Sequence, residues 1–523
     1  MTDPQKQAAT PMDPAELGVT RSEIGGRYSK YVLGVLVIVY IFNFIDRQIL
    51  SILAEDIKAD IGITDSEIGF LYGTAFAVFY AVFGIPLGRL ADTWTRKSLI
   101  SIGLAFWSLM TVLSGTARSF GLLATYRIGV GIGEASATPA AFSMLSDYFP
   151  PRLRSTALAV YSSGVYIGAG IGIFLGGVIL DGWAALFPDP AESPLGLKGW
   201  HVAFFAVGTP GLLIALWVWS LKEPARGQSE GLITPPHPHP FRESWAELNA
   251  MLPPFNWVKL LYLGGGSKVI LANLAGALVI GSIAWWAILQ TGSIAQWTAL
   301  GIGVYAAFSW TQSLLMSDPA TFGMIFRSKT IVFSMIGFPS MAFITYGLGF
   351  WGPPFFLRVH GASASESGTI LGLSAAVGGW FGVTLGGVLA DRLRARTPRA
   401  KLYVGMLAMV LSVPSALTLL LTESIVLAYV MNFVFSITSP MWVGPAAATV
   451  NDLVMPRMRA IASAFYILMI TFIGLALGPY MIGQISDTIV ANGDSAAAAL
   501  REGMLWSLCM YALALTMLIL AAL

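Results

Sequence analysis

Apolar stretches recur along most of the chain and are separated by shorter polar segments. An α-helix rises about 1.5 Å per residue, so about 20 apolar residues cross a hydrocarbon layer of about 30 Å. Each stretch is therefore predicted to form a membrane-spanning helix. Six are predicted in the first half, at about 31–54, 67–91, 98–117, 120–147, 155–181 and 200–221, and six in the second half, at about 330–357, 367–391, 402–421, 424–450, 458–486 and 501–523.

The segment between these two sets of helices has a mixed pattern. Trp245, Leu248 and Met251 recur at helical spacing beside charged side chains, which predicts a short amphipathic helix on the membrane surface. Two further apolar runs, 269–290 and 294–316, are each long enough to span. We therefore predict an inserted transmembrane hairpin and fourteen spans in total. A lipid-facing scaffold and a dimer contact are equally open roles for this hairpin.

Composition agrees with a polytopic membrane protein. Hydrophobic residues make up 56% of the 523 residues, charged residues make up 11%, and the mean hydropathy is +0.72. Soluble proteins have about 25% charged residues. A formal net charge of +2 argues against nucleic acid as a partner. His237 and His239 lie in a proline-rich loop, which is more typical of solvated side chains than of metal ligands, so we expect neither a metal nor another cofactor.

The loops alternate in charge. Basic residues follow the second, fourth and eighth predicted helices, whereas acidic residues follow the first and fifth. Because positive loops stay in the cytoplasm, this pattern predicts that both termini are cytoplasmic. The basic residues are Arg96, Lys97, Arg152, Arg154, Arg392, Arg394, Arg396, Arg399 and Lys401, and the acidic ones include Asp60, Asp65, Asp181, Asp189 and Glu192.

The two halves repeat each other. Residues 88–92 (GRLAD) return as residues 387–391 (GVLAD), 299 positions later. Parallel repeats of six helices predict two bundles related by an axis along the membrane normal. Two more matches occur in the same order, residues 67–69 with 366–368 and the D…PRLR pattern of 147–154 with the D…PRMR pattern of 452–459.

The fold predicted from these patterns is all-α and polytopic, with two six-helix bundles. The chain is divided into a cytoplasmic tail (1–30), an N-terminal bundle (31–222), a linker with the amphipathic helix and the hairpin (223–325), and a C-terminal bundle (326–523).

Four charged residues lie deep within predicted membrane helices. Asp46 and Arg47 are adjacent in the first helix, and Arg127 and Glu134 lie seven residues apart on one face of the fourth. A charge at that depth costs about 2.5–3.5 kcal/mol or more and needs a partner. Burial disfavours an ionised carboxyl and a nearby arginine favours it. We therefore predict Asp46 and Glu134 as proton carriers, with both arginines as counter-charges or substrate contacts; static ion pairs that fix the two helices are the alternative.

The predicted helices of the second half carry charge only near their ends, and their interior polar groups are neutral. Tyr346, Phe338, Asn432 and Ser436 are predicted to line a cavity between the halves. Charge in one half and apolar surface in the other suit an amphiphile, although these side chains would also fit simple packing or lipid contact.

A third set of charges lies at the cytoplasmic helix ends. Acids there can cap helices and pair with arginines, and such pairs can close one side of a carrier and break when it opens. The alternative is that they only anchor the helix ends under the positive-inside rule. The predicted cytoplasmic gate consists of Asp92, Arg96, Asp147, Arg152, Asp391, Asp452 and Arg457.

Three motifs resemble known families. Residues 88–97 (GRLADTWTRK) resemble the signature of the major facilitator superfamily between helices 2 and 3, with Thr95 where a glycine is usual. Residues 42–51 (FNFIDRQILS) and 126–150 (YRIGVGIGEASATPAAFSMLSDYFP) resemble the spinster family within it. That resemblance implies a bacterial inner-membrane transporter of lysophospholipids, sphingolipids or similar amphiphiles.

The function predicted from these features is proton-coupled secondary transport by alternating access, driven by a proton gradient. A drug or organic-anion/proton antiporter of the same fold is the alternative. An integral-membrane enzyme is disfavoured because the sequence contains neither HExxH nor GxxxxGK[ST]. A passive channel is disfavoured by the duplicated charged motifs.

Overall fold

The computed structural model of the protein describes residues 24–231 and 237–523, which are almost entirely helical. Most of the predicted tail (1–30) lies outside the described residues. The first bundle contains α1 (Arg27–Ile61), α2 (Asp65–Tyr72), α3 (Thr74–Thr93), α4 (Arg96–Ser114), α5 (Phe120–Glu134), α6 (Ala137–Tyr148), α7 (Pro151–Leu186) and α8 (Gly199–Trp219).

The linker and the second bundle follow. The linker contains α9 (Pro240–Asn249), α10 (Phe255–Tyr262), α11 (Ser267–Thr291), α12 (Ile294–Ser317) and α13 (Pro319–Phe326). The second bundle contains α14 (Lys329–His360), α15 (Ala364–Leu373), α16 (Gly379–Arg394), α17 (Ala400–Leu421), α18 (Ile425–Thr438), α19 (Val443–Asp452), α20 (Arg459–Met469), α21 (Leu477–Ala491), α22 (Ala496–Ser507) and α23 (Cys509–Ala522).

Six helices predicted as continuous are each divided into two α-helices in the structure, two of them in the first bundle and four in the second. The second predicted helix divides at Gly73, where a methyl group would lie 2.5 Å from the carbonyl oxygen of Leu475 in the other bundle. The fourth divides directly after Glu134, between α5 and α6. Tertiary contacts of this kind are not encoded in an apolar pattern, which explains why the sequence predicted unbroken helices.

Twelve helical segments among the described residues are long and apolar enough to cross a membrane. They include α11 of the hairpin, but neither α12 nor the interrupted α5–α6 pair. This number therefore does not confirm the fourteen spans, which stay a prediction.

The two helices of the hairpin have different surroundings. Most of α11 is exposed, including Leu278, Trp285 and Trp286. In contrast, α12 packs against both bundles, because Gly303 lies against Val78 of α3 and Phe472 near α21. The hairpin thus covers the line where the bundles meet and presents its outer helix to the surroundings.

Glycines let α7 contact helices of both bundles closely. Gly168 packs on the backbone of α1 within the first bundle. Methyl groups at Gly170 and Gly177 would lie 2.3 and 2.2 Å from the carbonyl oxygens of Gly372 and Ala364 in α15. Small residues permit such backbone contact in membranes, so α7 joins the two bundles.

Candidate functional site

A buried ion pair joins α1 to α5. Nη2 of Arg47 lies 2.7 Å from Oε2 of Glu134. The guanidinium also lies over the rings of Phe44, Phe76 and Tyr80, with its central carbon 4.7, 4.2 and 5.4 Å from their centroids. The aromatic faces stabilise the cation while excluding water around it.

Arg127 occupies the same interior but binds main-chain atoms. Its Nη1 donates to the carbonyl oxygen of Asp46 at 3.1 Å, and its Nε donates to that of Leu71 at 3.5 Å. Nη2 has no hydrogen-bond partner although the side chain is fully buried. Arg127 is therefore a buried cation with one nitrogen, Nη2, still free to donate hydrogen bonds.

The carboxylate of Asp46 is 0% exposed, and neither of its oxygens makes a hydrogen bond of normal geometry. The side chains of Thr111 and Trp107 are close to it, and Glu134 and Arg127 are the charged groups that interact with it electrostatically. A buried carboxyl without hydrogen bonds is costly when it is ionised. Asp46 is therefore the least satisfied member of this group of four charges.

The structure brings together all four residues predicted for this site, but with a pairing that the sequence did not predict. Arg47 binds Glu134 rather than lying with its chain neighbour Asp46. Adjacent residues on a helix point in different directions, so Asp46 and Arg47 cannot face each other. Gly131 makes the arrangement possible, because a methyl group there would lie 2.5 Å from the carbonyl oxygen of Phe76.

Three of the four predicted cavity residues lie where the bundles face each other. Asn432 and Ser436 line a cavity of about 150 Å³, to which Gln48 and Tyr166 contribute from the first bundle. Tyr346 is half-buried and close enough to Arg47 to interact electrostatically.

Phe338 differs from the predicted position. It is fully buried and stacks at 6.2 Å on Trp442 within the second bundle. It also fills the space beside Gly405, so it packs the interior of the bundle and does not line this cavity. An aromatic residue at helical spacing fits either surface, and the sequence pattern alone could not distinguish them.

Three of the seven predicted gate residues, Arg96, Asp147 and Asp452, form ion pairs, and none of these pairs joins the two bundles. We call this side of the protein the Arg96 end. Buried Arg96 binds Asp147 and donates from Nε to Glu223 at 2.8 Å. In the second bundle, Asp452 lies 2.5 Å from Lys401. Among the described residues, no ion pair at this end joins the two bundles.

The other predicted gate residues are exposed. Asp92, Arg152, Asp391 and Arg457 lie on the surface of the Arg96 end. None of these four makes an ion pair with another described residue. In this conformation they do not hold the bundles together, and a gate formed by them stays a prediction for another conformation.

The opposite side, here called the Asp65 end, contains the ion pairs that join the bundles. Arg358 of α14 lies 2.6 Å from Glu55 and 2.7 Å from Asp65. No sequence motif pointed to Arg358, which lies in the last turn of a long apolar helix. The sequence did contain a signal for this pair: a basic residue at a helix end in the second half and an acidic loop in the first half.

Two acids at the Asp65 end cap helices of the opposite bundle. Asp487 accepts hydrogen bonds from the main-chain nitrogens of Asp65 and Ser66, at 2.9 and 2.8 Å, at the start of α2. Asp181 accepts one from the nitrogen of Ser365 at 2.7 Å, at the start of α15. Helix N-termini carry partial positive charge, so both contacts stabilise this closed end.

The family model of the Major Facilitator Superfamily matches residues 36–479. The chain belongs to this superfamily. Its two helical bundles, the interior charged residues and the contacts between the bundles are thus those of a multi-pass membrane transporter, and the predicted fold class is confirmed apart from the number of spans.

Relatives support the predicted resemblance to the spinster proteins within this superfamily. Protein spinster homolog 1 of Homo sapiens is 27% identical over 484 residues, which cover 89% of this chain and 74% of that protein. An MFS-type efflux pump of Mycolicibacterium smegmatis is 26% identical over 481 residues, covering 92% of this chain and 89% of that one.

A solved structure agrees with both findings. The crystal structure of a bacterial homolog to the human lysosomal transporter Spinster, in an inward-facing and unoccupied conformation, is similar with a TM-score of 0.71 and 26% identity. The match covers 95% of this chain and 97% of that one. This major facilitator chain is therefore similar to transporters of the spinster type over almost its whole length.

Proposed function

We propose that this transporter carries amphipathic lipids, of the lysophospholipid or sphingolipid kind, coupled to protons and by alternating access. It would operate in a bacterial inner membrane with both termini in the cytoplasm. The observation that carries the proposal is the buried carboxyl of Asp46, without hydrogen bonds, beside the ion pair of Arg47 and Glu134.

The arrangement supports proton coupling because two buried carboxyls share few positive charges and hydrogen-bond donors that could stabilise their ionised forms. Glu134 has an arginine at hydrogen-bond distance, whereas Asp46 has none. A proton on Asp46 removes the cost of an ionised buried carboxyl. A proton on Glu134 releases Arg47, whose guanidinium is then free to bind an anionic headgroup.

The asymmetry between the bundles supports an amphiphilic substrate. The charged groups lie in the first bundle, and the cavity of about 150 Å³ beside the second is lined by neutral side chains such as Asn432, Leu348 and Phe355. A charged headgroup would contact Arg47, and the chain of the lipid would occupy the neutral side.

Alternating access is supported by the contrast between the two ends. Inter-bundle ion pairs are present at the Asp65 end, and the ion pairs at the Arg96 end stay within each bundle. With the basic loops in the cytoplasm, this conformation would be closed outward. The similar Spinster homolog is likewise described as inward-facing.

Purified protein in liposomes tests the proposal. We would follow a labelled lysophospholipid with and without an imposed pH gradient, for the wild type and for Asp46→Asn and Glu134→Gln. The gradient should accelerate wild-type transport, and each variant should lose about tenfold or more of that acceleration, the scale of about 1.4 kcal/mol of coupling. Glu192→Gln, an exposed carboxyl in a loop, is the matched control and should behave as the wild type.

The outcomes separate the parts of the proposal. Gradient-driven transport that persists in both variants would reduce the two acids to static ion pairs. If lysophospholipid does not move at all, the lipid substrate is wrong.

Export of a drug or organic anion in exchange for protons is the second candidate. It is favoured by the relative named as an MFS-type efflux pump, which covers nearly the whole chain. The same liposomes, loaded with a fluorescent organic anion, distinguish the candidates: pH-driven loss of the anion without lysophospholipid movement would support the antiporter.

A further inference from the structure

A cavity of about 600 Å³ lies at the Asp65 end, away from the four charged residues of the candidate site. Three parts of the protein surround it: α2 and the start of α5 in the first bundle, the turn between α11 and α12 with the first residues of α12, and α21 of the second bundle. The lining residues that matter here are Glu67, Phe70, Phe120, Gln296, Tyr480 and Asp487.

Gln296 in this lining is 1% exposed, yet neither its amide oxygen nor its amide nitrogen has a hydrogen-bond partner. A buried amide without partners is destabilising and uncommon in folded proteins. It lies on the wall of the cavity, where a ligand that enters the site would be its available partner.

The charges of the lining favour a cation. Glu67 and Asp487 contribute carboxylates, which accept main-chain hydrogen bonds at the start of α2 and keep their negative charge. None of the described lining residues is lysine, arginine or histidine. The neighbouring arginine, Arg358, is already paired with Glu55 and Asp65. Anions are thus disfavoured, because no unpaired basic group faces them.

Aromatic rings complete the lining. Phe70 and Phe120 have ring centroids 5.7 Å apart, and Tyr480 lies on the other bundle. Aromatic faces attract ammonium ions, and they do so for quaternary ammonium groups in particular. We propose that this cavity binds an organic ammonium ion, with the carboxylates and rings holding the cation and the Gln296 amide holding a polar substituent.

Such a ligand would connect the three surrounding parts. The turn of the hairpin already contacts the second bundle here, since Oγ of Ser293 donates to Oε1 of Gln484 at 3.2 Å. An ammonium ion bridging Glu67 and Asp487 would add a contact between the bundles, and it would stabilise the conformation in which the Asp65 end is closed.

Choline and its uncharged isostere 3,3-dimethylbutan-1-ol test the proposal by calorimetric titration of the full chain in detergent. Choline should bind saturably, and the isostere about tenfold or more weaker, because only choline carries the charge. The proposal is overturned if the two compounds bind equally, or if neither binds.

Glu67→Gln removes one carboxylate and keeps the helix start, because glutamine also serves in a capping box. It should weaken choline binding about tenfold. Glu366→Gln is the matched control: it lies at the equivalent position of α15, outside the cavity, and should leave affinity unchanged. Equal effects of the two substitutions would contradict the assignment.

Gln296→Leu provides a second test with two readouts. Removing an unsatisfied buried amide should raise the melting temperature of the ligand-free protein and weaken choline binding. If this variant instead melts at a lower temperature and binds choline as the wild type does, Gln296 is a structural residue and the proposed contact is wrong.

A soluble ammonium compound and an ethanolamine headgroup share this chemistry. Nanodiscs of phosphatidylglycerol with and without phosphatidylethanolamine separate the two sources. Weaker apparent choline affinity in the ethanolamine lipid would show that a headgroup competes for the cavity, whereas equal affinity would assign it to a soluble ion.

Discussion

The two ends of the protein use similar charged residues for different purposes. At the Asp65 end, Arg358 and Asp487 of the second bundle bind residues of the first. At the Arg96 end, the ion pairs of Arg96 and Asp452 hold helices together within a single bundle. Charged residues at helix ends are therefore present on both sides of the protein, but they join the bundles only at the Asp65 end, where their partners belong to the other half of the chain.

The reason lies in which partners are already occupied. Asp147, Glu223 and the carbonyl oxygen of Pro224 together surround the guanidinium of Arg96, which is therefore unavailable to the second bundle. At the Asp65 end, the first residues of α2 and α15 have unsatisfied main-chain nitrogens, and each receives an acid from the opposite bundle. The contacts at the Asp65 end therefore join the two bundles, whereas those at the Arg96 end hold helices together within one bundle.

The largest effect is expected for Arg96→Met, which leaves Asp147 and Glu223 without their buried cation. Breaking a buried pair costs about 3–5 kcal/mol, so the melting temperature should fall strongly. Because the pair lies within one bundle, the separation of the bundles at the Asp65 end should not change. Spin labels on Glu192→Cys and Glu366→Cys, with Cys509→Ser, measure that separation.

Arg358→Gln, in contrast, is expected to change the separation of the bundles at the Asp65 end. It removes the cation shared by Glu55 and Asp65, and because Glu55 is partly exposed we expect a cost of about 2 kcal/mol. The cost should appear as a larger label separation, since the closed state alone contains the pair. Arg392→Gln, an exposed arginine of the Arg96 end, is the control. An unchanged distance for Arg358→Gln would refute the assignment of this pair to the closed state.

Gly177→Val tests packing at the same end. The new side chain meets the carbonyl oxygen of Ala364, and such overpacking costs about 1–3 kcal/mol. We expect the bundles to separate at the Asp65 end, which the same spin labels report. Gly182→Val is the control: it makes the same substitution in the same helix, but its new side chain points into open space. The distance between the two spin labels should then equal that of the wild type.

Asp487→Asn should have the smallest effect. Asparagine keeps one oxygen that accepts from the start of α2, but its NH2 group cannot accept the second hydrogen bond. The loss of that bond and of the interaction of the charge with the helix dipole should together cost about 1 kcal/mol. A slight shift toward the open Asp65 end is expected. Asp189→Asn, which caps a short turn within one bundle, is the control and should cause no shift. A shift as large as that of Arg358→Gln would contradict this ranking.

Local features were predictable because they depend on neighbours in the chain. The predicted spans lie where the structure has helices, since bilayer thickness sets a minimum length for an apolar span, although α1 (Arg27–Ile61) and α7 (Pro151–Leu186) extend beyond their predicted ends. Arg127 and Glu134 share a helix face because of their spacing, and the repeat of residues 88–92 indicated two equivalent halves.

Other features were not predictable because they depend on contacts between distant segments. The interruption at Gly73 exists because the backbone of the other bundle lies against it. Phe338 faces the interior of its bundle, although its spacing also fits a cavity wall. The role of Arg358 became visible only when Asp65, almost three hundred residues away, was found beside it.

The sequence by itself determined that this chain is a helical membrane protein of two related halves with four charges in its interior, because periodicity, hydropathy and spacing are local properties. Only the tertiary structure decided that Arg47 binds Glu134, that Asp46 makes no hydrogen bond of normal geometry, and that the ion pairs between the bundles lie at the Asp65 end. Side-chain partners are chosen by geometry across helices, and helical spacing restricts that geometry without specifying it.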